Sequence, residues 1–259
     1  MKKGLRYTLF IAVVAVFTAV MALICSFVQG KRFVTTCSGV DVRIKDRFEF
    51  VKKTDVEEYL NRYYGSYVGQ RLDSVDLVRI ESMLDRQSAV LKSEAWTTRD
   101  GVLHIEISQR EPVVRFQKGG YGFYADDRGF IFPLQSNYTS LVPVVDGNLP
   151  LAVEADFKGE PATEGERNWV SGVLEMVRFM QRSRTWAESI VQMHVDSRGD
   201  LILIPREGKE RFIFGYPSDI PAKFARMEEY YRYIKPSKPE GFYSSVNVKY
   251  NGQVICREK

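Results

Sequence analysis

Between Tyr7 and Gly30 the chain carries no charged residue, and the stretch LFIAVVAVFTAVMALICSFV is apolar almost throughout. At about 1.5 Å per residue, a helix over this run is about 36 Å long, enough to cross the ~30 Å hydrocarbon layer of a bilayer. A cleaved signal peptide has a shorter apolar stretch, of about 7 to 15 residues, ending in a small-x-small site. A lipoprotein signal places a small residue before its cysteine, whereas Ile24 precedes Cys25. The pattern therefore predicts an uncleaved transmembrane helix over 7–30 behind a short tail, 1–6.

Past the span the periodicity changes. In VDVRIK, Val40, Val42 and Ile44 alternate with Asp41, Arg43 and Lys45, which predicts a strand. Thr54-Asp55-Val56-Glu57 reads as a capping box that opens a helix, with Val56, Tyr59, Leu60 and Tyr63 at i, i+3, i+4 and i+7 and Gly65 as a left-handed cap. A second helix opens after Asp73 or Ser74 with Leu77, Ile80 and Leu84 inward. Strands over Lys92–Thr98 and Val102–Ser108 follow, joined by Asp100-Gly101, with Leu103, Ile105 and Ile107 facing in. Strand, helix, helix, strand, strand makes a two-layer unit with both helices on one sheet face.

From Pro112 the rhythm becomes mainly β. GYGFYADDRGFIFPL predicts a hairpin turning at Asp127-Arg128-Gly129, and VPVVDG, IVQMHVD, LILIP and RFIFG predict further strands. Two helices interrupt them. One runs from Glu164 to Arg182 with Trp169, Val173, Met176, Val177 and Met180 on one side. The other follows Asp219, with Pro221 in its first turn and Phe224, Met227, Tyr231 and Ile234 inward. The chain closes with a strand over Ser245–Tyr250, an Asn251-Gly252 turn and a strand over Gln253–Cys256. The expected fold class is α+β: a single N-terminal transmembrane helix, a β-α-α-β-β domain, then a mainly β domain with two helices.

Composition sharpens this in two respects. With 44% hydrophobic and 27% charged residues, the 259-residue chain has enough apolar surface to fold, and three Cys are too few for a disulfide scaffold. The formal charge of +4 is concentrated at the start: Lys2, Lys3, Arg6, Lys31 and Arg32 fall within the first 40 residues with no acid. The remainder is neutral and lacks the clustered basic field of a nucleic-acid binder. Because bases flank the span on both sides, the charge rule leaves its orientation open. The short tail before it and the long body after it favour an exported body. Cys37 and Cys256 lie outside the span, free to pair or to stay reduced.

Residues with catalytic potential are sparse. His104 faces outward from an alternating strand and His194 lies in another, and neither has a second His at metal-ligand spacing. No GxSxG, Walker or HExxH pattern occurs. Gly119-Gly120-Tyr121-Gly122 precedes a hairpin and not a helix, so it reads as a loop. Asp126-Asp127 is accounted for by the turn at Gly129, and Asn137-Tyr138-Thr139 is a glycosylation pattern of a kind common by chance. Tyr230, Tyr231 and Tyr233 read as a helix face packed on the sheet, and Glu57, Glu58 and Arg62 as a solvated face. The closing strand remains. If it forms a sheet edge, it offers unpaired amides and carbonyls to a strand of another protein; if it is interior, it does not. The expectation is binding without catalysis.

The span, VDVRIK, SVDLVRIESML, GVLHIEI, QREPVVRF, YADDRGFIFPL, VPVVDG and VNVKYNGQVI, taken in this order, resemble the FtsQ/DivIB division family in its Bacteroidota-like form. Gln109-Arg110-Glu111-Pro112 is similar to the glutamate-arginine-glutamate-proline signature that ends the family's polypeptide-transport-associated (POTRA) domain, with Gln109 in place of the first acid. The resemblance implies a cytoplasmic tail 1–6, a transmembrane helix 7–30, a POTRA domain 38–112 and a β domain 113–259. It implies a single-pass type II protein of the inner membrane with its bulk in the periplasm. It also implies a non-enzymatic scaffold linking early and late septation proteins.

The implied partners are FtsB-like and FtsL-like proteins, with FtsW/FtsI-like ones beside them. No cofactor, metal, nucleic acid or small-molecule substrate is implied. The family's last long strand receives a strand of FtsB, which carries the partner site here to Val246, Val248, Lys249, Tyr250, Gly252 and Gln253. Lys249 stands where the family has an Arg and lacks its planar fork. The chain ends at Lys259 without the longer tail of some members, so part of the partner surface is expected to differ. Two other readings compete: a POTRA-bearing component of outer-membrane assembly or secretion, and an anchored cell-wall enzyme using paired carboxylates.

Overall fold

The structure, a computed structural model, describes residues 11–24 and 35–259. Residues 11–24 form a helix, α1, in which every residue is exposed. Among the described residues no helix is long and apolar enough to cross a membrane. The rest of the expected span, 7–10 and 25–30, and the tail 1–6 lie outside them.

The first folded unit follows the predicted order. It comprises β1 (Gly39–Ile44), α2 (Lys53–Tyr63), α3 (Leu77–Leu84), β2 (Val90–Thr97) and β3 (Val102–Gln109). Its sheet has the order β1-β3-β2, with β1 parallel and β2 antiparallel to β3. Leu103, Ile105 and Ile107 are fully buried beneath Val56, Leu60, Ile80 and Leu84, since one face of an alternating strand and one stripe of each helix must share a core.

The helix starts differ from expectation. α2 opens at Lys52, whose backbone N–H donates to the Asp55 carboxylate at 3.2 Å, so Asp55 and not Glu57 closes the first turn. α3 is capped by Asp76, which accepts from the Arg79 N–H at 2.9 Å, while Leu72–Ser74 form a separate 3-10 turn. Gly65, at φ +101°, ends α2 as expected.

The second unit is built on a nine-stranded sheet of order β12-β11-β10-β9-β8-β7-β4-β5-β6. Its strands are β4 (Pro112–Lys118), β5 (Tyr121–Asp126), β6 (Ile131–Pro133), β7 (Val144–Gly147), β8 (Ile190–Val195), β9 (Leu201–Pro205), β10 (Arg211–Gly215), β11 (Tyr243–Asn247) and β12 (Ile255–Glu258). Helices α4 (Glu164–Arg182) and α5 (Ile220–Glu229) bury Trp169, Val173, Met176, Val177, Phe224 and Met227 in one core with the inward residues of the strands. Past α5 the chain makes a π turn over Tyr230–Ile234. The wider turn puts Tyr230 in the buried position, leaves Tyr231 and Ile234 half-buried, and turns Tyr233 out to 67% exposure. The expected tyrosine face is thus broken.

The two ends of the large sheet differ. At β6, Ile131 exchanges backbone hydrogen bonds of 2.8 and 2.9 Å with Gly159, and the strand ends at Pro133. At the other end β12 has β11 on one side and, among the described residues, no strand on the other.

Candidate functional site

The closing segment carries the expected partner site, and the structure divides its six residues into three kinds. Val246, in β11, is fully buried between Phe212 of β10 and Cys256 of β12. Val248 is also fully buried, its N–H donating to the Ile213 carbonyl at 3.0 Å and its carbonyl accepting from Arg226 Nε at 2.9 Å. Both valines hold the core. The expected strand over Ser245–Tyr250 is therefore Tyr243–Asn247; Val248 keeps one bond to β10 while its carbonyl is taken by Arg226 of α5, and the chain turns away beyond it.

Lys249 is engaged within the chain. Its Nζ lies 2.7 Å from Asp200 Oδ2 and its N–H donates to Asn247 Oδ1 at 3.0 Å. The hydrogen bond to Asp200 holds the ammonium pKa above its ordinary value. Tyr250 is 49% exposed, with Lys249 Nζ 5.2 Å from its ring centroid. Gly252, at φ +68°, makes the turn, and Gln253 is exposed. Tyr250, Gly252 and Gln253 thus form an exposed loop that delivers the chain to β12.

The edge itself is Ile255–Glu258, later than the expected Gln253–Cys256 strand. Ile255 is 47% exposed, Arg257 and Glu258 are exposed, and Cys256 is half-buried against the main core. Burial raises the Cys256 thiol pKa, so it is a poor nucleophile. Cys37 is buried in the first unit and both cysteines are free. The six expected residues do not include Ile255, Arg257 and Glu258, the residues this edge exposes.

Two comparisons bear on this geometry. A family model described as FtsQ/DivIB, C-terminal related, matches residues 111–257, more than half of the chain. The chain belongs to the FtsQ/DivIB family. A POTRA-like domain model matches residues 35–108, so the first unit of this FtsQ/DivIB protein is a POTRA-like domain and the second is the family's mainly β domain. No curated protein matches the chain. FtsQ/DivIB proteins are membrane-anchored and generally non-enzymatic scaffolds of cell division.

The remaining polar clusters have structural explanations. Each histidine faces an aspartate across a parallel strand pair: His104 Nδ1 lies 3.2 Å from Asp41 Oδ2, and His194 Nδ1 lies 2.6 Å from Asp146 Oδ1. His104 also stacks on Trp96, with ring centroids 5.3 Å apart. Asp126 accepts from the Arg128 and Phe130 N–H groups, as a turn carboxylate does. Among the described residues no group of three or more His, Cys, Asp or Glu is arranged to hold a metal ion. The Asn137 side chain donates to the carbonyls of Glu49 and Phe50. A large depression of about 820 Å³, lined by Trp186, Tyr231, Glu207 and Arg232, carries charges of both signs.

Proposed function

We propose that this FtsQ/DivIB protein is a non-enzymatic division scaffold that captures an FtsB- or FtsL-type partner by β-strand addition at its C-terminal edge. The observation that carries this reading is that, among the described residues, β12 ends the nine-stranded sheet with no strand on its outer side. An edge of this kind provides main-chain donors and acceptors at fixed spacing, and the pockets between alternating side chains give selectivity. On this reading Tyr250, Gly252 and Gln253 guide the incoming chain, Ile255 and Arg257 contact it, and Val246 and Val248 act by holding β11 in place. Lys249 supports the loop through Asp200 and not through the partner.

The same proposal takes 1–6 as a cytoplasmic tail, 7–30 as a transmembrane helix, 38–112 as the POTRA domain and 113–259 as the β domain. It puts the bulk of the chain in the periplasm of an inner-membrane protein of type II topology. FtsW/FtsI-like proteins are its further neighbours, and the scaffold links early to late septation proteins.

Co-purification of the organism's own FtsB-type protein is the test. Tyr250→Glu, and separately a chain ending after Val254, should each lose the partner while the circular dichroism spectrum stays that of the intact protein. Capture at the intact level by the chain ending after Val254 would exclude strand addition at β12.

A further inference from the structure

The junction between the two units has a construction that neither the family match nor the proposed edge explains. β3 ends at Gln109 and β4 begins at Pro112, so only Arg110 and Glu111 separate the two sheets. Pro112 has a fixed φ and restricts Glu111 to extended backbone, so the connector has little freedom of its own.

Arg110 belongs to both sides. Its N–H donates to the Ala89 carbonyl of the POTRA-like domain at 2.9 Å, and its Nη1 donates to Asp126 Oδ2 of the β domain at 2.7 Å. The guanidinium carbon lies 3.5 Å from the Phe130 ring centroid. Asp126 is 2% exposed and is itself fixed by the Arg128 and Phe130 N–H groups. Such a pair, desolvated and geometrically determined, is costly to break on one side only.

Gln109 is 4% exposed and uses both ends of its side chain. Its Nε2 donates to Asp46 Oδ1 at 2.6 Å and to the Phe48 carbonyl at 2.5 Å, and its Oε1 accepts from the Val51 N–H at 2.7 Å. Its backbone N–H donates to Asp46 Oδ2 at 2.7 Å. These bonds fix the loop between β1 and α2, which inserts Phe50 against Tyr124, Phe132 and Tyr138 of the β domain. A separate hydrophobic cluster, with Phe50, Ala89, Tyr124 and Phe132 buried at its centre, is shared by both domains. Asn137 and Gln135 add hydrogen bonds from the β domain to the Glu49 and Phe50 carbonyls and to Ser88.

We infer that Gln109 and Arg110 form an interdomain clamp that makes the POTRA-like and β domains a single rigid body. A carboxylate at position 109 cannot donate to Asp46 or to the Phe48 carbonyl and sets two negative charges together, so this clamp requires the amide. A rigid body presents β12 at a fixed distance and direction from the POTRA-like domain. A partner assembly that touches both domains then meets them at high effective concentration without first ordering them.

The test is the distance distribution between spin labels at Val68→Cys and Arg198→Cys, both exposed sites, in the full chain with Cys25, Cys37 and Cys256 replaced. With positions 109 and 110 native, one narrow distribution is expected. Gln109→Glu and Arg110→Met should each widen it at least twofold and separate the thermal unfolding of the two domains into two transitions. Asn137→Ala, a milder change, should widen it by a smaller factor. A broad or two-peaked distribution with native 109 and 110 would overturn the inference whether or not the variants fold. Distributions for folded Gln109→Glu and Arg110→Met proteins as narrow as that of the native junction would overturn it equally.

Discussion

At the scale of single residues, two charges are fixed by contacts that can be titrated. Glu166 accepts from the Ala152 N–H at 2.6 Å and from the Thr163 N–H at 2.9 Å, while its own N–H donates to Thr163 Oγ1 at 3.2 Å. These bonds, that from Ala152 foremost, hold its carboxyl below its ordinary value of 4.5. With the folded pKa depressed, the stabilisation is complete above 4.5 and is lost as pH falls through the folded value. Glu166→Ala should therefore cost about 1 kcal/mol near neutral pH, and the difference from the native protein should shrink in acid, as read by urea unfolding at several pH values.

Lys249 has the opposite sign. Its folded pKa lies above 10.5, so its contribution is complete below that value and fades as pH rises through the folded pKa. A double-mutant cycle of Lys249→Ala with Asp200→Ala should give a coupling of about 0.5–1 kcal/mol near pH 7. The cycle also tests whether this lysine is committed internally: a coupling near zero would free it for a partner.

At the scale of elements, close packing between α4 and the chain entering α5 depends on a missing methyl. A Cβ at Gly172 would lie 2.1 Å from the Pro217 carbonyl oxygen. Alanine favours helices, yet Gly172→Ala should destabilise the β domain by about 1–3 kcal/mol through overpacking, measured by thermal or urea unfolding.

The same helix shows what can be read from sequence. Glu164–Arg182 and its buried stripe are visible because nineteen residues repeat one helical period between a Thr163 cap and Ser183. The Leu103, Ile105 and Ile107 face is visible because alternation admits only one inward set. The π turn at Tyr230–Ile234 is not visible, since one wider turn shifts the inward face by about one residue without changing the apolar content. The loop carrying Phe48 and Phe50 is illegible in the sequence for a related reason. Two aromatics in a connector show no period, and what covers them lies about 75 to 90 residues further on. At the candidate edge, alternation identified a closing hairpin but not the departure at Val248, which is set by Arg226 on α5.

At the scale of the whole molecule, a deletion can separate the closing segment's part in the core from its proposed part in partner capture. Val246 and Val248 are fully buried, and losing buried valines exposes a core that β10 and α5 share. Removing 245–259 should therefore abolish cooperative unfolding of the β domain, whereas ending the chain after Val254 should preserve it with a small loss. Differential scanning calorimetry of the two truncations reads the difference directly. Loss of partner from the longer deletion alone would report unfolding, so only the shorter one isolates the edge.

The closure of β6 by Gly159 and Pro133 gives the large sheet a polarity. With one flank sealed, the proposed strand addition admits a newcomer from a single direction, and on that reading each molecule offers this ladder one berth. On the proposed reading, strand pairing through this sheet therefore terminates after one addition and does not propagate from copy to copy into a filament. If the proposed role holds, a blunt end and a receptive end on the same sheet restrict growth among crowded identical chains to a one-to-one encounter.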